Sequence, residues 1–400
     1  MSLQDTPNAE RVYIGFFGRR NAGKSSLINA VAGQEVSVVS DTPGTTTDPV
    51  TKAMELLPMG PVLLQDTPGY DDEGELGALR VRAARRILRR TDIAVLVADA
   101  RRGLTDCDRE LVRCFRQFGI PYVTVFNKAD LIEASGEQAA EEGAIYTSAL
   151  LKEGITQLKE KLAHMELSDQ KGRRPLIADL VRPSDRVVLV IPIDKAAPKG
   201  RLILPQQMML RGILDADGIP VCVKEDRLKE VLEIPGIKPS LVITDSQVFS
   251  SVSAQVPGDV PLTSFSILMA RYKGFLDQAV RGAGVIDRLQ EGARILVSEG
   301  CTHHRQCGDI GTVKIPALLT RHTGKHFVIE TSSGPDFPDD LSTFSLIIHC
   351  GACMLGEREV RYRMRAAEAA GVPMTNYGTA IAHMNGILQR ATDVPGLLTK

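Results

Sequence analysis

The chain has 400 residues, with 48 Lys and Arg against 49 Asp and Glu, so its formal net charge is only −1 at pH 7. This length allows two or three domains that each bury a hydrophobic core. The balanced charge excludes a strongly basic protein, and we expect neither a nucleic-acid partner nor a membrane partner. The first residues lack a signal-peptide pattern, and no run approaches the roughly 18 apolar residues of a membrane span. We therefore expect a cytoplasmic protein.

The first predicted element is a short strand, 11–17, which leads into the sequence GRRNAGKS at 18–25. This run matches the pattern G-x-x-x-x-G-K-[ST], with a strand before it and a predicted helix, 26–32, after it. Lys24 is expected to contact the β- and γ-phosphates of a nucleotide, and the Ser25 hydroxyl to bind Mg²⁺. The predicted phosphate-binding residues are Gly18, Asn21, Ala22, Gly23, Lys24, Ser25 and Ser26.

A second buried strand, 62–64, ends just before Asp66-Thr67-Pro68-Gly69. An aspartate in this place is expected to hold Mg²⁺ through water, and Gly69 is placed to contact the γ-phosphate. The strand at 93–98 is again of the parallel type. Together with the phosphate-binding loop, these strands predict an α/β nucleotide-binding domain.

The strand at 122–126 delivers the sequence NKAD, 127–130, at its carboxyl end, where α/β folds bind ligands. The Asp130 carboxylate can accept hydrogen bonds from N1 and N2 of guanine, which adenine cannot supply, and Lys128 can pack its stem over the base. This motif resembles the guanine-specificity motif of GTPases, and 147–149 resembles their last base-contacting loop. GTP is therefore the predicted nucleotide, with Asn127, Lys128, Asp130, Ser148 and Ala149 as the predicted base-binding residues.

The segment 41–48, DTPGTTTD, resembles switch I of GTPases close to the tRNA-modification GTPase and Era families. That resemblance implies that Thr46, or else Thr45, binds Mg²⁺. It also places Asn21 where some of those GTPases hold a K⁺ ion, although Asn21 is equally read as a turn residue. The predicted catalytic residues are Lys24, Thr46 and Gly69. No glutamine follows Gly69 in the position used by Ras, which predicts slow intrinsic hydrolysis.

A polar, Pro-terminated run at 168–175 is a candidate linker. The segment that follows alternates predicted strands and helices, which favours a parallel sheet covered by helices. It contains no catalytic motif, so we expect it to mediate dimerisation. Its Cys222 is expected to be a core thiol, and the loop 194–201 a solvated turn. The predicted strands are 186–191, 219–223, 241–244 and 261–269, and the predicted helices are 204–216 and 227–232.

The last segment begins with a predicted helix, 275–289, and contains two strands that each end in metal-binding residue types. The strand 294–298 precedes Cys301-Thr302-His303, and the strand 343–348 precedes His349-Cys350-Gly351-Ala352-Cys353. Because the carboxyl ends of parallel strands lie along one edge of a sheet, the two groups can converge. Two further helices are expected at 358–370 and 379–390.

Soft thiolates select zinc, copper(I) or iron–sulfur clusters. Cys350, Cys353 and Cys301 are the predicted ligands, since the C-x-x-C spacing brings two sulfurs to one metal site. Cys307 is an alternative that would complete a four-cysteine site, and it can equally be a packing thiol. His303 and His349 are candidates for direct coordination or for hydrogen bonding to a ligand. Surface or capping roles are expected for His304, His322 and His326.

The combination of a P-loop GTPase domain, a motif-free middle domain and a C-x-H…H-C-x-x-C set resembles the HydF family, the maturation GTPases of iron-only hydrogenases. The resemblance covers essentially the full chain. It implies a 4Fe–4S cluster on Cys301, Cys350 and Cys353 with one iron position exchangeable or bound by a histidine. It also implies a homodimer that carries the two-iron precursor of the hydrogenase cofactor. The implied partners are the radical-SAM maturases HydE and HydG and the apo-hydrogenase.

The predicted fold class is therefore α/β throughout, with a GTP-binding P-loop domain at 1–168, a dimerisation domain at 175–270 and an iron–sulfur domain at 271–400. Two other functions remain open. A zinc-stabilised GTPase acting on ribosomes or tRNA would use four protein ligands, although the basic run 80–90 is better read as a solvated helix face. A GTP-gated electron-transfer enzyme would use four thiolates.

Overall fold

The structure is a computed structural model, and the chain forms two compact units, Met1–Gly172 and Arg173–Lys400. Several residues singled out above lie outside the described part of the chain: Thr45, Thr46, Gly69, Cys301, His303, His304, Cys307, the loop 194–201 and most of 80–90. The described residues are 11–33, 51–67, 87–132, 143–166, 174–193, 202–236, 238–300, 309–334 and 336–398.

The first unit is a six-stranded sheet in the order β2-β3-β1-β4-β5-β6, in which β2 is antiparallel to β3 and the other pairs are parallel. Its strands are β1 (Val12–Phe17), β2 (Thr51–Leu56), β3 (Gly60–Asp66), β4 (Ile93–Asp99), β5 (Tyr122–Asn127) and β6 (Ile145–Thr147). Its described helices are α1 (Lys24–Ala32), α2 (Asp106–Gln117) and α3 (Ile155–Ala163).

The central strand β4 shows how this sheet is covered on both faces. Val95 and Val97 pack into the hydrophobic cluster on one side of the sheet, while Ala94 and Leu96 pack into the cluster on the other side. All four side chains are fully buried, as expected for a parallel strand between two layers of helices. Because β1, β3, β4, β5 and β6 run parallel, the loops that follow them lie along one edge of the sheet.

The second unit begins with a four-stranded parallel sheet in the order β10-β9-β7-β8. Its strands are β7 (Arg186–Val190), β8 (Ile219–Val223), β9 (Leu241–Thr244) and β10 (Leu262–Ser264), with helices α4 (Leu204–Asp215), α5 (Leu228–Leu232), α6 (Phe249–Gln255) and α7 (Phe265–Tyr272).

Two expectations for this segment are wrong. The run 261–269 is not one strand, because the Ser264 side chain accepts a hydrogen bond from the backbone N–H of Ile267 and starts helix α7. Cys222 is not a core thiol either. It lies on the edge strand β8, and its side chain is exposed.

A second four-stranded parallel sheet follows in the order β12-β11-β13-β14. Its strands are β11 (Arg294–Glu299), β12 (Val328–Ser333), β13 (Leu346–His349) and β14 (Met374–Asn376). Its helices are α8 (Leu276–Ala283), α9 (Ile315–Thr323), α10 (Glu357–Ala369), α11 (Tyr377–Met384) and α12 (Leu388–Thr392). The predicted helix 379–390 is interrupted because Gly386 adopts a left-handed conformation, with φ 70°.

The hydrophobic core of the middle sheet extends beyond that sheet. Buried Val188 and Leu189 of β7 belong to the same cluster as Ala352 and Leu355, which flank Cys353, and as Val360 of helix α10. The loop that carries the C-x-x-C pair is therefore packed against the middle segment.

Within the described residues, no helix is both long enough and apolar enough to cross a membrane. The longest of them, α10, has 13 residues.

Candidate functional site

The phosphate-binding loop is shaped by residues in left-handed conformations. Gly18 has φ 141°, Asn21 63° and Gly23 90°. A Cβ on Gly18 would lie 2.1 Å from the Val97 carbonyl oxygen, and one on Gly23 would lie 2.3 Å from Asn127 Nδ2. Only glycine fits at these two positions, so the motif's glycines are required by the backbone path as well as by phosphate binding.

The predicted phosphate and magnesium ligands stand together at the start of α1. Lys24 is buried, and its Nζ donates to the carbonyl oxygens of Gly18 at 3.0 Å and Arg19 at 2.9 Å. The Ser25 hydroxyl donates to Oδ2 of Asp66. The other carboxylate oxygen, Oδ1, is buried and has no hydrogen-bond partner among the described residues. A hydroxyl beside a carboxylate with an unsatisfied oxygen is the donor set that suits Mg²⁺.

Asn127 links the phosphate-binding loop to the loop after β6. Its Nδ2 donates to the carbonyl oxygens of Ala22 at 3.2 Å and Gly23 at 3.4 Å. Its Oδ1 accepts from the backbone N–H of Ala149 at 3.1 Å and from the Thr147 hydroxyl at 3.3 Å. One side chain therefore sets the spacing between the phosphate end and the base end of the site.

Lys128 is held by a partner that the sequence motifs do not reveal. Its Nζ donates to the Asn21 carbonyl oxygen at 2.5 Å and to Asp99 Oδ2 at 2.9 Å. Asp99 also accepts from the Arg101 guanidinium at 2.7 Å. The hydrogen bonds from Arg101 and then from Lys128 hold the pKa of the Asp99 carboxyl well below its usual value. Asp99 closes β4, directly opposite Asn127 in the sheet register.

The remaining predicted nucleotide-binding residues lie around this edge. Asp130 is half-buried in the turn after β5, and Ser26 is exposed in the first turn of α1. Ser148 is buried, and its hydroxyl oxygen accepts from the backbone N–H of Leu151 at 3.0 Å. The Asn21 side chain is exposed.

The second candidate site is the C-x-x-C loop that follows β13. Cys350 Sγ accepts hydrogen bonds from the backbone N–H groups of Gly300 at 3.0 Å and Ala352 at 3.4 Å. Ala352 adopts a left-handed conformation, with φ 56°, which turns the chain back toward the sulfur. Backbone N–H groups aimed at a cysteine sulfur stabilise negative charge on it, as at iron–sulfur ligands.

Both thiols of this loop are in a desolvated environment. Burial raises the pKa of Cys350, while the N–H groups of Gly300 and Ala352 oppose that rise. Burial and the neighbouring Cys350 raise the pKa of Cys353 to about 11, against the charge of Lys273. Lys273 is itself buried, and its Nζ donates to the Leu355 carbonyl oxygen at 2.8 Å. Without a metal ion these cysteines are neutral thiols at pH 7.

His349 is fully buried, and both of its ring nitrogens are engaged. The hydrogen-bond partners assign the tautomer: Nδ1–H donates to the Cys350 carbonyl oxygen at 2.9 Å, and Nε2 accepts from the Arg363 guanidinium at 3.1 Å. Burial, followed by the charge of Arg363, lowers the pKa of His349 to about 3. The histidine is therefore neutral and fixed in orientation.

Arg363 is the centre of a buried network that sequence reasoning missed. Its other donors reach Glu359 at 3.0 Å, the Ser298 hydroxyl at 3.2 Å and the Gly334 carbonyl oxygen at 2.6 Å. In the sequence, Arg363 lies in a run of charged residues that resembles a solvated face. Its burial could have been predicted from its spacing, because Arg363 follows the apolar Val360 by three residues and therefore lies on the same, buried side of α10.

Three family models match consecutive parts of the chain. Residues 13–128 match a model described as 50S ribosome-binding GTPase. Residues 176–274 match the hydrogen maturase F dimerization domain, and residues 277–394 match the hydrogen maturase F tetramerization domain. The last two together span more than half of the 400 residues.

Curated relatives resemble the first unit. GTPase Der of Kosmotoga olearia is 31% identical over 170 residues, which cover 38% of this chain and 38% of that protein. The tRNA modification GTPase MnmE of Nitrosomonas europaea is 35% identical over 159 residues, covering 38% of this chain and 34% of that protein. The chain thus spans less than two fifths of these relatives. Among solved structures, the G domain of the T. maritima FeoB iron transporter is 24% identical, covering 38% of this chain and 97% of that one, with a TM-score of 0.30.

The family models and the curated relatives agree with the geometry of the first unit. The first unit is a GTPase domain, and the predicted α/β fold class is confirmed by its mostly parallel sheet and by the two parallel sheets that follow. The dimerization and tetramerization domains support self-association and a role in hydrogenase maturation. The chain belongs to the hydrogen maturase F family.

Proposed function

We propose that this protein is a GTPase and iron–sulfur scaffold that receives a two-iron precursor and delivers it to apo-[FeFe]-hydrogenase. The observation that carries the proposal is the position of Cys350, a buried sulfur with two backbone N–H donors beside Cys353. It lies in a chain whose first unit is a GTPase domain. The proposal therefore combines GTP binding and a two-cysteine loop in one protein.

The residues fit a 4Fe–4S cluster held by Cys301, Cys350 and Cys353. The buried thiols gain from metal binding, because a metal stabilises the thiolate that burial otherwise disfavours. Gly300, whose N–H meets Cys350 Sγ, is the residue just before Cys301. When bound, the cluster supplies one iron with an exchangeable position, at which the precursor can be held.

A buried cation near the site supports a negatively charged group there. A 4Fe–4S core on three thiolates carries net negative charge, and Lys273 supplies positive charge in a desolvated environment, whereas the charge of Arg363 is already paired with Glu359 at 3.0 Å. Since both nitrogens of His349 are engaged, we assign it an orienting role toward Cys350. His303 is then the histidine proposed for the exchangeable position.

GTP is proposed to control the encounter with partners. Lys24, Ser25 and Asp66 hold the phosphates and Mg²⁺, and Thr46 and Gly69 contact the γ-phosphate. Loss of that phosphate releases the switch loops and changes affinity for the maturases HydE and HydG. If Asn21 helps to bind K⁺, the hydrolysis rate in KCl will exceed that in NaCl at equal ionic strength.

The test of the cluster is anaerobic reconstitution with iron and sulfide, followed by ultraviolet–visible and EPR spectra of the reduced protein. The wild type and a Cys222→Ser variant should show the cluster, because Cys222 is exposed on the edge strand β8 of the other sheet. Cys350→Ser should lose it. A colourless wild type that retains zinc would instead support a zinc-stabilised GTPase.

The test of delivery uses protein isolated after co-expression with HydE and HydG. Incubation with apo-hydrogenase should produce hydrogen-evolving enzyme, whereas protein expressed without the maturases should not. Equal activation by the two preparations would contradict the carrier role.

A further inference from the structure

A second group of metal-binding residue types lies away from the cysteines. His322 Nε2 is 2.7 Å from Asp287 Oδ1, and His383 Nε2 is 3.0 Å from Asp287 Oδ2. One ligand atom from each of the three residues lies within 4.8 Å of both others. The two imidazole rings have centroids 5.7 Å apart and are tilted by 60°. Among the described residues, this is the one cluster of three such groups.

Three separate elements bring these side chains together. Asp287 lies in the short 3₁₀ turn Ile286–Arg288, His322 in the last turn of α9 and His383 in the last turn of α11. Each element is anchored by a buried neighbour in the same hydrophobic cluster, namely Ile286, Leu319 and Ile381. The packed core therefore holds the three backbone positions in place, which is what a preformed ligand set requires.

The chemistry of the group suits a divalent transition metal. Two imidazoles and one carboxylate are a recurrent ligand set for Zn²⁺ and Fe²⁺, with further positions left open. Bond lengths of about 2.1 Å in a tetrahedral site would separate ligand atoms by about 3.4 Å. The observed nitrogen–oxygen distances of 2.7 and 3.0 Å are shorter by about 0.7 and 0.4 Å, so the half-exposed Asp287 side chain would move away from both imidazoles to admit the ion.

The carboxylate is anionic, and a metal ion would replace the Nε2–H hydrogen bonds that it accepts from His322 and His383. Hydrogen bonding from His322, and then from His383, holds the pKa of Asp287 below its usual value. The side chains of Asp287, His322 and His383 are 53%, 28% and 20% exposed. A bound ion would consequently keep a solvent-facing position.

We propose that Asp287, His322 and His383 form a binding site for one divalent transition-metal ion, distinct from the cysteine site. The ion has three protein ligands, and water or a ligand from another molecule completes its coordination. The site lies within the residues that match the tetramerization domain. Histidine and carboxylate ligands, without sulfur, distinguish it chemically from the C-x-x-C loop.

The experiment is a Co²⁺ titration of the full-length, untagged protein under reducing, anaerobic conditions. Co²⁺ on thiolates gives intense near-ultraviolet charge-transfer absorption, whereas Co²⁺ on imidazole and carboxylate gives only weak visible bands. Wild type should bind one more equivalent than His383→Ala, with the thiolate absorption unchanged between them. The matched control is His326→Ala, an exposed histidine on the same unit, which should behave as wild type. Equal stoichiometry in all three proteins would overturn the proposal.

A second variant addresses the possibility that His383→Ala disturbs folding. Asp287→Asn keeps the side-chain shape and one carbonyl acceptor but removes the anionic ligand, and should weaken Zn²⁺ binding at least tenfold. In thermal unfolding, Zn²⁺ should raise the midpoint of this variant less than that of wild type or His326→Ala. An equal shift in the Asp287→Asn variant would show that Zn²⁺ binds elsewhere.

Discussion

The Arg363 guanidinium donates to Nε2 of His349 at 3.1 Å, and neither side chain is exposed to solvent. His349 in turn donates through Nδ1 to the backbone carbonyl of Cys350. A residue in the middle of α10 therefore fixes the loop that begins the C-x-x-C motif. Only an arginine can make this contact together with the others, because its several N–H donors also reach Glu359, Ser298 and Gly334 from one buried position.

Replacing Arg363 with Met should destabilise the second unit by about 3–5 kcal/mol, because the buried Glu359 carboxylate would lose its charged partner. Urea unfolding monitored by circular dichroism measures the change. Arg361→Met in the same helix is the matched control, since the Arg361–Glu357 pair is partly exposed and should contribute about 1 kcal/mol or less. Equal losses of unfolding free energy in the two variants would contradict the view that Arg363 is the centre of the buried network.

Asp130→Asn should change the base preference of the first unit. Guanine offers N–H donors at N1 and N2, to which a carboxylate can bind. Xanthine instead carries a carbonyl at C2, which accepts a hydrogen bond from the amide N–H of an asparagine. We expect GDP affinity to fall about 30-fold or more and XDP affinity to rise, as measured by calorimetry. Asp106→Asn is the control, because Asp106 is almost fully exposed on α2. An unchanged preference would exclude Asp130 from base recognition.

The GTPase domain could be predicted from the sequence because its characteristic residues lie in short local motifs. Each motif follows directly after a strand, and the parallel register brings the strand ends together, as with Asp99 opposite Asn127. In the structure Ser298 pairs with His349 at the end of the parallel β11–β13 pair, so the chain leaves these two strands at neighbouring positions. Strand ends and their loops are thus accessible to pattern analysis.

What the sequence did not indicate depends on contacts between distant residues. Asp287 and His383 are 96 positions apart, and α9 packs both against the turn that carries Asp287 and against α11, which carries His383. Arg363 was hidden in a charged run, since its burial depends on which face of α10 meets the sheet. The prediction that Cys222 is buried was wrong because its apolar strand lies at the edge of the sheet, where part of the strand stays exposed.

Asp99→Asn should remove a pH-dependent contribution to the stability of the first unit. The pKa of Asp99 is depressed in the folded state by Arg101 and Lys128. Such a group contributes stability above its ordinary value of 3.8, and that stability is lost as the pH falls below it. The difference in urea midpoint between wild type and Asp99→Asn should therefore narrow from pH 5 to pH 3. A constant difference would contradict the ion-pair account.

Cys353→Ser should separate the two chemical activities of the chain. The thiol lies in the second unit, whereas the predicted phosphate- and base-binding residues lie in the first. A hydroxyl is a poor ligand for iron, so the reconstituted variant should lose the cluster spectrum. Its GTP hydrolysis rate, measured by phosphate release, should stay within about twofold of wild type, since no nucleotide contact is changed. Cys222→Ser, which alters an exposed thiol in the same unit, should retain both properties. Loss of hydrolysis together with the cluster in Cys353→Ser would instead indicate a metal that holds the fold, and a thermal unfolding midpoint well below that of Cys222→Ser would accompany it.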